Sequence, residues 1–322
     1  MATNEFSLIE RYFHWQDQPR FPPLQAIALG IGDDAAVLNM PSGKQLVVST
    51  DTFIAGVHFP EDTAPHAIGH KALAVNLSDL AAMGADPAWF TLALTLPDVN
   101  ERWLEDFSQG LKSLANQHHI YLVGGDTTRG ELSITIQAMG WVDKYQAVTR
   151  SGARHQDRIY VSGHPGDAAA GLAVLQQRLY LNPHDASECV SRLEYPQPRH
   201  SVSRLMRRFA SACIDVSDGL AADLSHILKA SQVGAVINPE ALPLSPILKK
   251  LRQQRALEYA LTGGDDYELL FTIKARNEFQ FLELLASRDL TVTCIGYIDK
   301  YRRGITFEPE LDFKLPQGYL HF

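Results

Sequence analysis

The sequence predicts an α/β protein with mixed sheets, divided into two domains. The chain has 322 residues, and a domain usually holds about 150 residues, so the length favours two domains. Strand-like apolar runs alternate with helix-like segments, and this pattern restarts after a loop near residues 147–152. We therefore expect an N-terminal α/β domain over 1–148 and a C-terminal α/β domain over 149–322.

The first domain is expected to contain helices and a partly antiparallel set of strands. Apolar spacing and turn residues predict these elements. They are an opening helix over Thr3–Phe13, strands over Ile27–Leu29, Ala35–Leu38, Leu46–Thr50, Ile120–Val123 and Leu132–Val142, and helices over Lys71–Met83 and Trp103–Leu114. The helix over Lys71–Met83 is apolar nearly all round, which indicates that it is buried.

The second domain repeats the alternation of strands and helices. Its predicted strands are Arg158–Ser162, Glu268–Ile273 and Thr291–Ile298, and its predicted helices are Leu172–Leu179, Ser217–Lys229 and Phe279–Leu285. The polar, proline-bearing stretch Asn182–Pro198 is interpreted as a surface excursion, because elements of the same type resume after it.

Charge and cysteine content exclude several classes of protein. Lys and Arg total 29 against 37 Asp and Glu, a net charge of -8, whereas a nucleic-acid-binding protein normally has a basic face. The 3 cysteines are far apart and lack the spacing of a disulfide framework or zinc site. No signal peptide or long apolar run is present. These features predict a cytoplasmic protein that binds neither nucleic acid nor membrane.

Acidic residues recur at the predicted ends of strands and starts of helices, mostly beside glycines. They are Asp33, Asp34, Asp51, Asp126, Asp215, Asp218, Asp265 and Asp266. A single Gly-Asp pair is ordinary turn chemistry. Many such pairs in one α/β chain favour a shared cleft, because strand ends converge at one edge of a sheet. Carboxylates gathered there suit Mg²⁺ bound together with substrate phosphates.

Asp79 differs from these residues because it lies inside the apolar helix, three residues after Asn76. Burying a carboxylate costs several kcal/mol unless it is paired or binds a metal ion. Asp79 is therefore a further candidate metal ligand.

Other binding motifs fit the sequence less well than a shared Mg²⁺ site. Gly30–Ala35 matches the dinucleotide fingerprint G-x-G-x-x-A, but two carboxylates would occupy the pyrophosphate position, and a strand and turn follow it. No G-x-x-x-x-G-K-[ST] motif is present. His66 and His70, like His118–His119, are expected on solvated helix faces.

Two interpretations of Ser217 and Asp218 stay open. Either residue can cap the helix that follows, since Ser and Asp favour the N-cap position. The start of the same helix can also attract phosphate through its free N–H groups. The two interpretations are compatible.

Together these motifs resemble the signature set of the thiamine-monophosphate kinase family, over the whole chain from Phe6 to Phe322. The segments that carry the resemblance are Gly30–Ala36, Ser49–Thr52, Gly56–Phe59, Lys71–Pro87, Gly124–Gly130, Ile214–Leu220 and Gly263–Glu268. The resemblance implies the two-domain PurM-like fold of aminoimidazole ribonucleotide synthetase, with an N-terminal domain that dimerises. It also implies ATP-dependent phosphorylation of thiamine monophosphate to thiamine diphosphate, with several Mg²⁺ ions.

The resemblance further implies roles for individual residues. The implied metal ligands are Asp34, Ser49, Thr50, Asp51, Asp79, Asp126, Asp215 and Asp218. The implied ATP contacts are Gly125, Asp126, Arg150 and Ser217, and the implied substrate contacts are His58, Asp265 and Tyr319. Asp265 stands where the family commonly has Glu, and Tyr319 stands where it often has Trp.

The expected chemistry is direct in-line transfer without a general base, because the attacking phosphate oxygen is already deprotonated. Rival functions remain at this stage. One is a ligase or dehydratase of the same superfamily. Another is a non-enzymatic sensor of a thiamine phosphate, which ATP turnover would exclude.

Overall fold

Two units make up the chain, and each is built around its own sheet. The first unit consists of Met1–Leu80 and Ala85–Tyr145, and the second of Ala81–Gly84 and Gln146–Phe322. The computed structural model describes residues 5–15, 17–288 and 290–315.

Among its described residues, the first unit contains two long helices, two short helices and six strands. Its helices are α1 (Glu5–Leu8), which continues as a π-helical turn over Ile9–Phe13, α2 (Pro22–Gln25), α3 (Pro65–Ala82) and α4 (Glu101–His118). Its strands are β1 (Ile27–Leu29), β2 (Val37–Leu38), β3 (Lys44–Ile54), β4 (Asp86–Leu96), β5 (Tyr121–Arg129) and β6 (Ser133–Asp143).

The main sheet of this unit has the order β3-β6-β4-β5. It is antiparallel except for the parallel pair β4 and β5. Alternate residues such as Phe53, Leu92 and Ile136 are buried on one face. Helices α3 and α4 cross closely: a Cβ on Gly69 would lie 2.2 Å from the Phe107 carbonyl oxygen. Only glycine permits that approach.

The opposite face of the sheet is covered at one end only. There, side chains of the segment from α2 to β2 pack with Trp89 and Trp141. Along β3 the face is open, since Leu46 and Val48 are each 48% exposed and Ile54 is 43% exposed. An apolar strip of this kind on a sheet is unusual for a surface that faces water.

The second unit contains six strands and six α-helices among its described residues. Its strands are β7 (Arg158–Ser162), β8 (Ala210–Val216), β9 (Gly234–Ile237), β10 (Glu268–Ile273), β11 (Val292–Asp299) and β12 (Gly304–Phe307). Its α-helices are α5 (Asp167–Leu175), α6 (Pro183–Glu194), α7 (His200–Met206), α8 (Leu220–Ser231), α9 (Gln253–Thr262) and α10 (Glu278–Ala286).

The six-stranded sheet of this unit is buried on both faces. Its order is β12-β9-β11-β7-β10-β8, and only β12 and β9 run parallel. Ile159 and Val161 of β7 pack in one apolar cluster with α8, whereas Tyr160 packs in a second cluster with α10. Side chains of a strand alternate between faces, so both faces carry apolar residues and the strands appear as continuous apolar runs.

The structure corrects two expectations about helices. The stretch Asn182–Pro198 contains α6, in which Cys189 and Leu193 are buried. The apolar residues of this helix are spaced for packing, although prolines flank it. Helix α3 begins at Pro65, and His70 is buried rather than solvated, because α3 lies against α4 on one side.

Candidate active site

Strand β3 and helix α3 bring together Ser49, Asp51 and Asp79. Ser49 and Asp51 are two residues apart on β3 and therefore point to the same face. The Ser49 hydroxyl donates a hydrogen bond to the Asp79 carboxylate. Burial, together with the charge of Asp79, raises the pKa of Asp51 to about 6. The carboxylates of Asp51 and Asp79 thus lie close together in a partly buried site, and a bound cation would reduce their electrostatic repulsion.

Thr50 and Asp126 lie on the other, open face of the same sheet. Asp126 on β5 pairs with Ala93 on β4, and Ala93 pairs with Thr135 on β6. Thr135 in turn pairs with Thr52 on β3, so Asp126 and Thr52 lie on the same face. Thr50 is two residues from Thr52, and its hydroxyl accepts a hydrogen bond of 3.3 Å from Gln137 Nε2. The structure therefore separates these residues from the Asp51 and Asp79 pair within this unit.

The expectation that Asp51 and Asp126 lie at strand ends is wrong. Strand β3 continues past Asp51 to Ile54, and β5 continues past Asp126 to Arg129. Long cross-strand pairing carries both strands through their polar residues. Sequence periodicity registers the apolar runs but not these polar extensions of the strands.

Gly125, which precedes Asp126, has a structural role. Gly125 has φ +156°, and a Cβ there would lie 1.9 Å from the Leu92 carbonyl oxygen. A side chain at this position would break the pairing of β5 with β4. The motif therefore serves the sheet whether or not Gly125 contacts a nucleotide.

The loop Gly30–Asp34 connects β1 to β2. These two strands form a small antiparallel sheet, and no helix follows the glycines. Asp34 is exposed, and its N–H donates a 2.9 Å hydrogen bond to Asp33 Oδ1. The dinucleotide fingerprint needs a helix start at this point, so this structure does not support that rival interpretation.

His58 lies in a tight loop after β3. Its Nδ1 accepts a 3.1 Å hydrogen bond from the Ile54 N–H, and its ring stacks on Phe53 with centroids 5.4 Å apart. An acceptor Nδ1 assigns the proton of the neutral ring to Nε2. The backbone contact therefore occupies the lone pair of one ring nitrogen.

In the second unit, Asp215, Ser217 and Asp218 do lie where a strand ends. Asp215 is buried on β8, which ends at Val216. Ser217 and Asp218 form the connection to α8. The residue before α8 is Gly219, with φ +113° and no side-chain cap. The N-cap interpretation of Ser217 and Asp218 is therefore wrong.

A residue that sequence reasoning missed holds this connection. Asp223, in the first turn of α8, accepts hydrogen bonds of 3.1 Å from the N–H groups of Ser217 and Asp218. Burial raises the pKa of Asp223 to about 7, although the hydrogen bonds from the Asp218 and Ser217 N–H groups oppose that shift. The sequence carries a signal for it, since Asp223 shares the helix face of Leu220 and Leu224, at the spacing of a buried position.

Asp265 is fixed beside this connection. Its N–H donates a 2.9 Å hydrogen bond to the Ser217 carbonyl, and the Tyr267 N–H donates one of 2.8 Å to the Val216 carbonyl. The Tyr267 hydroxyl donates to Asp265 Oδ1 at 3.1 Å. Asp265 and Tyr267 have φ values of 68° and 50°, a left-handed backbone that costs energy in non-glycine residues. The local fold thus maintains a strained segment around Asp265.

Buried ion pairing anchors the far end of this segment. Glu268 accepts hydrogen bonds from the Arg199 guanidinium and from the Ser162 hydroxyl. Asp266 accepts a 2.7 Å hydrogen bond from the Gly166 N–H, just before α5. These contacts tie the segment to its sheet and to a helix, which fixes the backbone that carries Asp265.

Two features are absent from the described residues: a cluster of three metal-binding side chains and a membrane-spanning helix. Over 5–15, 17–288 and 290–315, no group of three His, Cys, Asp or Glu side chains is placed to hold a metal ion. A helix long and apolar enough to cross a membrane is likewise absent from this part of the chain. Tyr319, an expected substrate contact, lies outside the described residues.

The chain is similar to proteins of known family. Residues 32–142 of the chain match the family model of the AIR synthase related protein N-terminal domain, and residues 154–307 match that of the C-terminal domain. The chain is 50% identical to thiamine-monophosphate kinase of Escherichia coli (strain K12) over 329 residues, which covers 100% of this chain and 99% of that protein.

Solved structures agree with the sequence comparison. Thiamine-monophosphate kinase from Stenotrophomonas maltophilia K279a has a TM-score of 0.83 and 48% identity, covering 88% of this chain and 92% of that one. AaThiL complexed with AMPPCP and TMP has a TM-score of 0.77 and 34% identity, covering 91% of this chain and 92% of that one.

The fold class is therefore that of the AIR synthase related proteins, with the mixed α/β sheets expected of a PurM-like chain. Within that class the chain belongs to the thiamine-monophosphate kinase family. The resemblance noted from the motifs is confirmed.

Proposed function

We propose that this protein phosphorylates thiamine monophosphate with ATP to give thiamine diphosphate, the last step in making that cofactor. The observation that carries the proposal is the 50% identity over the entire chain to a protein of that name. The similar structure of AaThiL is a complex with AMPPCP and TMP. These two ligands fit an enzyme that binds a nucleotide and a phosphate monoester together.

Mg²⁺ is part of this proposal. Ser49, Asp51 and Asp79 supply the hard oxygen ligands that Mg²⁺ prefers. Burial and the charge of Asp79 raise the pKa of Asp51, and a bound cation would stabilise the ionised carboxylate. The other proposed ligands are Asp34, Thr50, Asp126, Asp215 and Asp218. When bound, Mg²⁺ offsets the charge of the two phosphate groups that must approach each other.

The chain's own groups position the reactants and stabilise charge. Arg150 is proposed to bind nucleotide phosphates through paired N–H donors, with Gly125, Asp126 and Ser217 as further ATP contacts. The substrate contacts are His58, Asp265 and Tyr319. No general base is assigned, since the attacking oxygen is already deprotonated at neutral pH.

Direct transfer is favoured over a phosphorylated enzyme. His58, itself a proposed substrate contact, is the candidate carrier, and the Ile54 N–H occupies its Nδ1 lone pair. The transfer is therefore proposed to be in line, from ATP to substrate.

A cytoplasmic homodimer completes the proposal. The open face of the first unit exposes Leu46, Val48 and Ile54, and a second copy of the same strip would cover them. The domains are proposed to run over 1–148 and 149–322. Sedimentation of the purified protein at several concentrations tests the dimer.

Product analysis tests the function. Purified protein is incubated with Mg²⁺, ATP and thiamine monophosphate, and the products are separated and identified. We expect ADP and thiamine diphosphate in equal amounts. Inorganic phosphate as the main product would indicate a ligase-type activity, and an absence of ATP consumption would indicate a sensor.

A further inference from the structure

We propose that Asp223 is a positioning residue for nucleotide binding, which fixes the Ser217–Asp218 connection. The proposal deepens the proposed function and rests on it, because Ser217 and Asp218 are among its nucleotide and metal contacts. Asp223 itself touches backbone rather than substrate.

Asp223 takes the place that an external anion would occupy at the start of α8. The free N–H groups near a helix start attract phosphate, and Ser217 and Asp218 were expected to offer theirs. Both of these N–H groups instead donate to Asp223 Oδ2, each at 3.1 Å. Phosphate recognition here consequently falls to side chains and bound cations.

The connection is fixed from a second side as well. The Ser217 carbonyl accepts a 2.9 Å hydrogen bond from the Asp265 N–H. A Cβ on Gly264 would lie 2.5 Å from that same oxygen, so the two segments are in close contact. Because Asp223 and Asp265 engage the backbone of Ser217, its side chain has a defined direction.

Two substitutions separate the hydrogen bonds from the charge. Both N–H groups share one carboxylate oxygen, so the amide oxygen of Asp223→Asn can keep both bonds while the charge is lost. Asp223→Ala removes the bonds and the charge. Asp185→Asn is the matched control: Asp185 is also a buried acid in the first turn of a helix, paired with Lys250 and Asn182.

The readout is the Michaelis constant for MgATP compared with that for thiamine monophosphate. We expect Asp223→Ala to raise the constant for MgATP about tenfold or more, and Asp223→Asn about threefold, since one or two charge-assisted hydrogen bonds are at stake. The Michaelis constant for thiamine monophosphate should stay within about twofold of the wild-type value in both Asp223 variants. Both Michaelis constants should also stay within about twofold of wild type in Asp185→Asn.

Equal, small changes in Asp223→Ala and Asp185→Asn would overturn the proposal. If Asp223→Ala does not fold, Asp223→Asn decides, and a MgATP constant no higher than that of Asp185→Asn refutes the role. Titration of wild type and variants with the non-hydrolysable analogue AMPPCP provides a readout independent of turnover. Loss of the proposed function is distinguishable, because wild type itself would then form no thiamine diphosphate.

Discussion

Two sets of carboxylates in this chain differ in their surroundings: the pair Asp51 and Asp79, and Asp223 alone. Asp51 and Asp79 face each other across β3 and α3, and Asp79 accepts a hydrogen bond from the Ser49 hydroxyl. Asp223 accepts two backbone hydrogen bonds. The first set brings two carboxylates together, whereas the carboxylate of Asp223 has two N–H donors.

The difference distinguishes carboxylates that bind a cation from carboxylates that fix a backbone. An acid with satisfied hydrogen-bond partners stabilises the native fold, and removing it leaves donors unpaired. Two acids held together against their repulsion weaken the fold unless a ligand is bound, a pattern typical of functional sites. Mutation of the two sets should therefore shift stability in opposite directions.

The largest expected effect is on turnover. Asp51→Asn should lower kcat about a hundredfold or more, because one ligand charge is lost where the transition state needs a bound cation. Circular dichroism should show an unchanged fold. Asp98→Asn, at an exposed acid paired with Arg129, is the control and should keep wild-type kcat. An Asp51→Asn enzyme with near wild-type kcat would remove Asp51 from the metal site.

A second expectation concerns Asp265 and its hydrogen bond from Tyr267. Asp265→Glu should be tolerated and act mainly on the Michaelis constant for thiamine monophosphate, whereas Asp265→Ala should act more strongly. Tyr267→Phe should raise the same constant about threefold to tenfold, since one hydrogen bond that orients the carboxylate is lost. A large fall in kcat at saturating substrate for Asp265→Glu would show that the site requires the shorter acid.

A third expectation is a pH dependence of stability in the metal-free protein. Folding raises the pKa of Asp51 to about 6 and that of Asp223 to about 7. The native state then binds more protons than the unfolded chain between the ordinary and the raised pKa values, so stability falls as pH rises through that window. Denaturant titrations from pH 4 to pH 8 measure this slope. Asp51→Asn should flatten the part below pH 6, and Asp98→Asn should leave it unchanged.

The sequence predicted much of the fold where a strand is buried on both faces. Arg158–Ser162 and Glu268–Ile273 form strands with the predicted bounds, because both are apolar runs. Asp51 and Asp126 were placed at strand ends because polar residues begin there. Pairing with β6 and β4 extends both strands, and no local pattern reveals a partner strand.

The candidate site was only partly accessible to sequence reasoning. Motif resemblance identified the family, which the comparisons confirm. The role of Asp223 depends on a contact with residues five and six positions earlier. The placement of Asp126 on the face opposite to Asp51 depends on the register of the strands between them. The domain boundary after residue 148 and the individual ligand roles stay predictions.

The measurement that tests the central comparison most directly is thermal unfolding of wild type and Asp79→Asn, with and without Mg²⁺. Without the metal ion, Asp79→Asn should melt higher, by about 2–4 °C for each kcal/mol of repulsion relieved. Added Mg²⁺ should then raise the melting temperature of wild type more than that of the variant. A metal-free variant that melts below wild type, with both unaffected by Mg²⁺, would contradict the account.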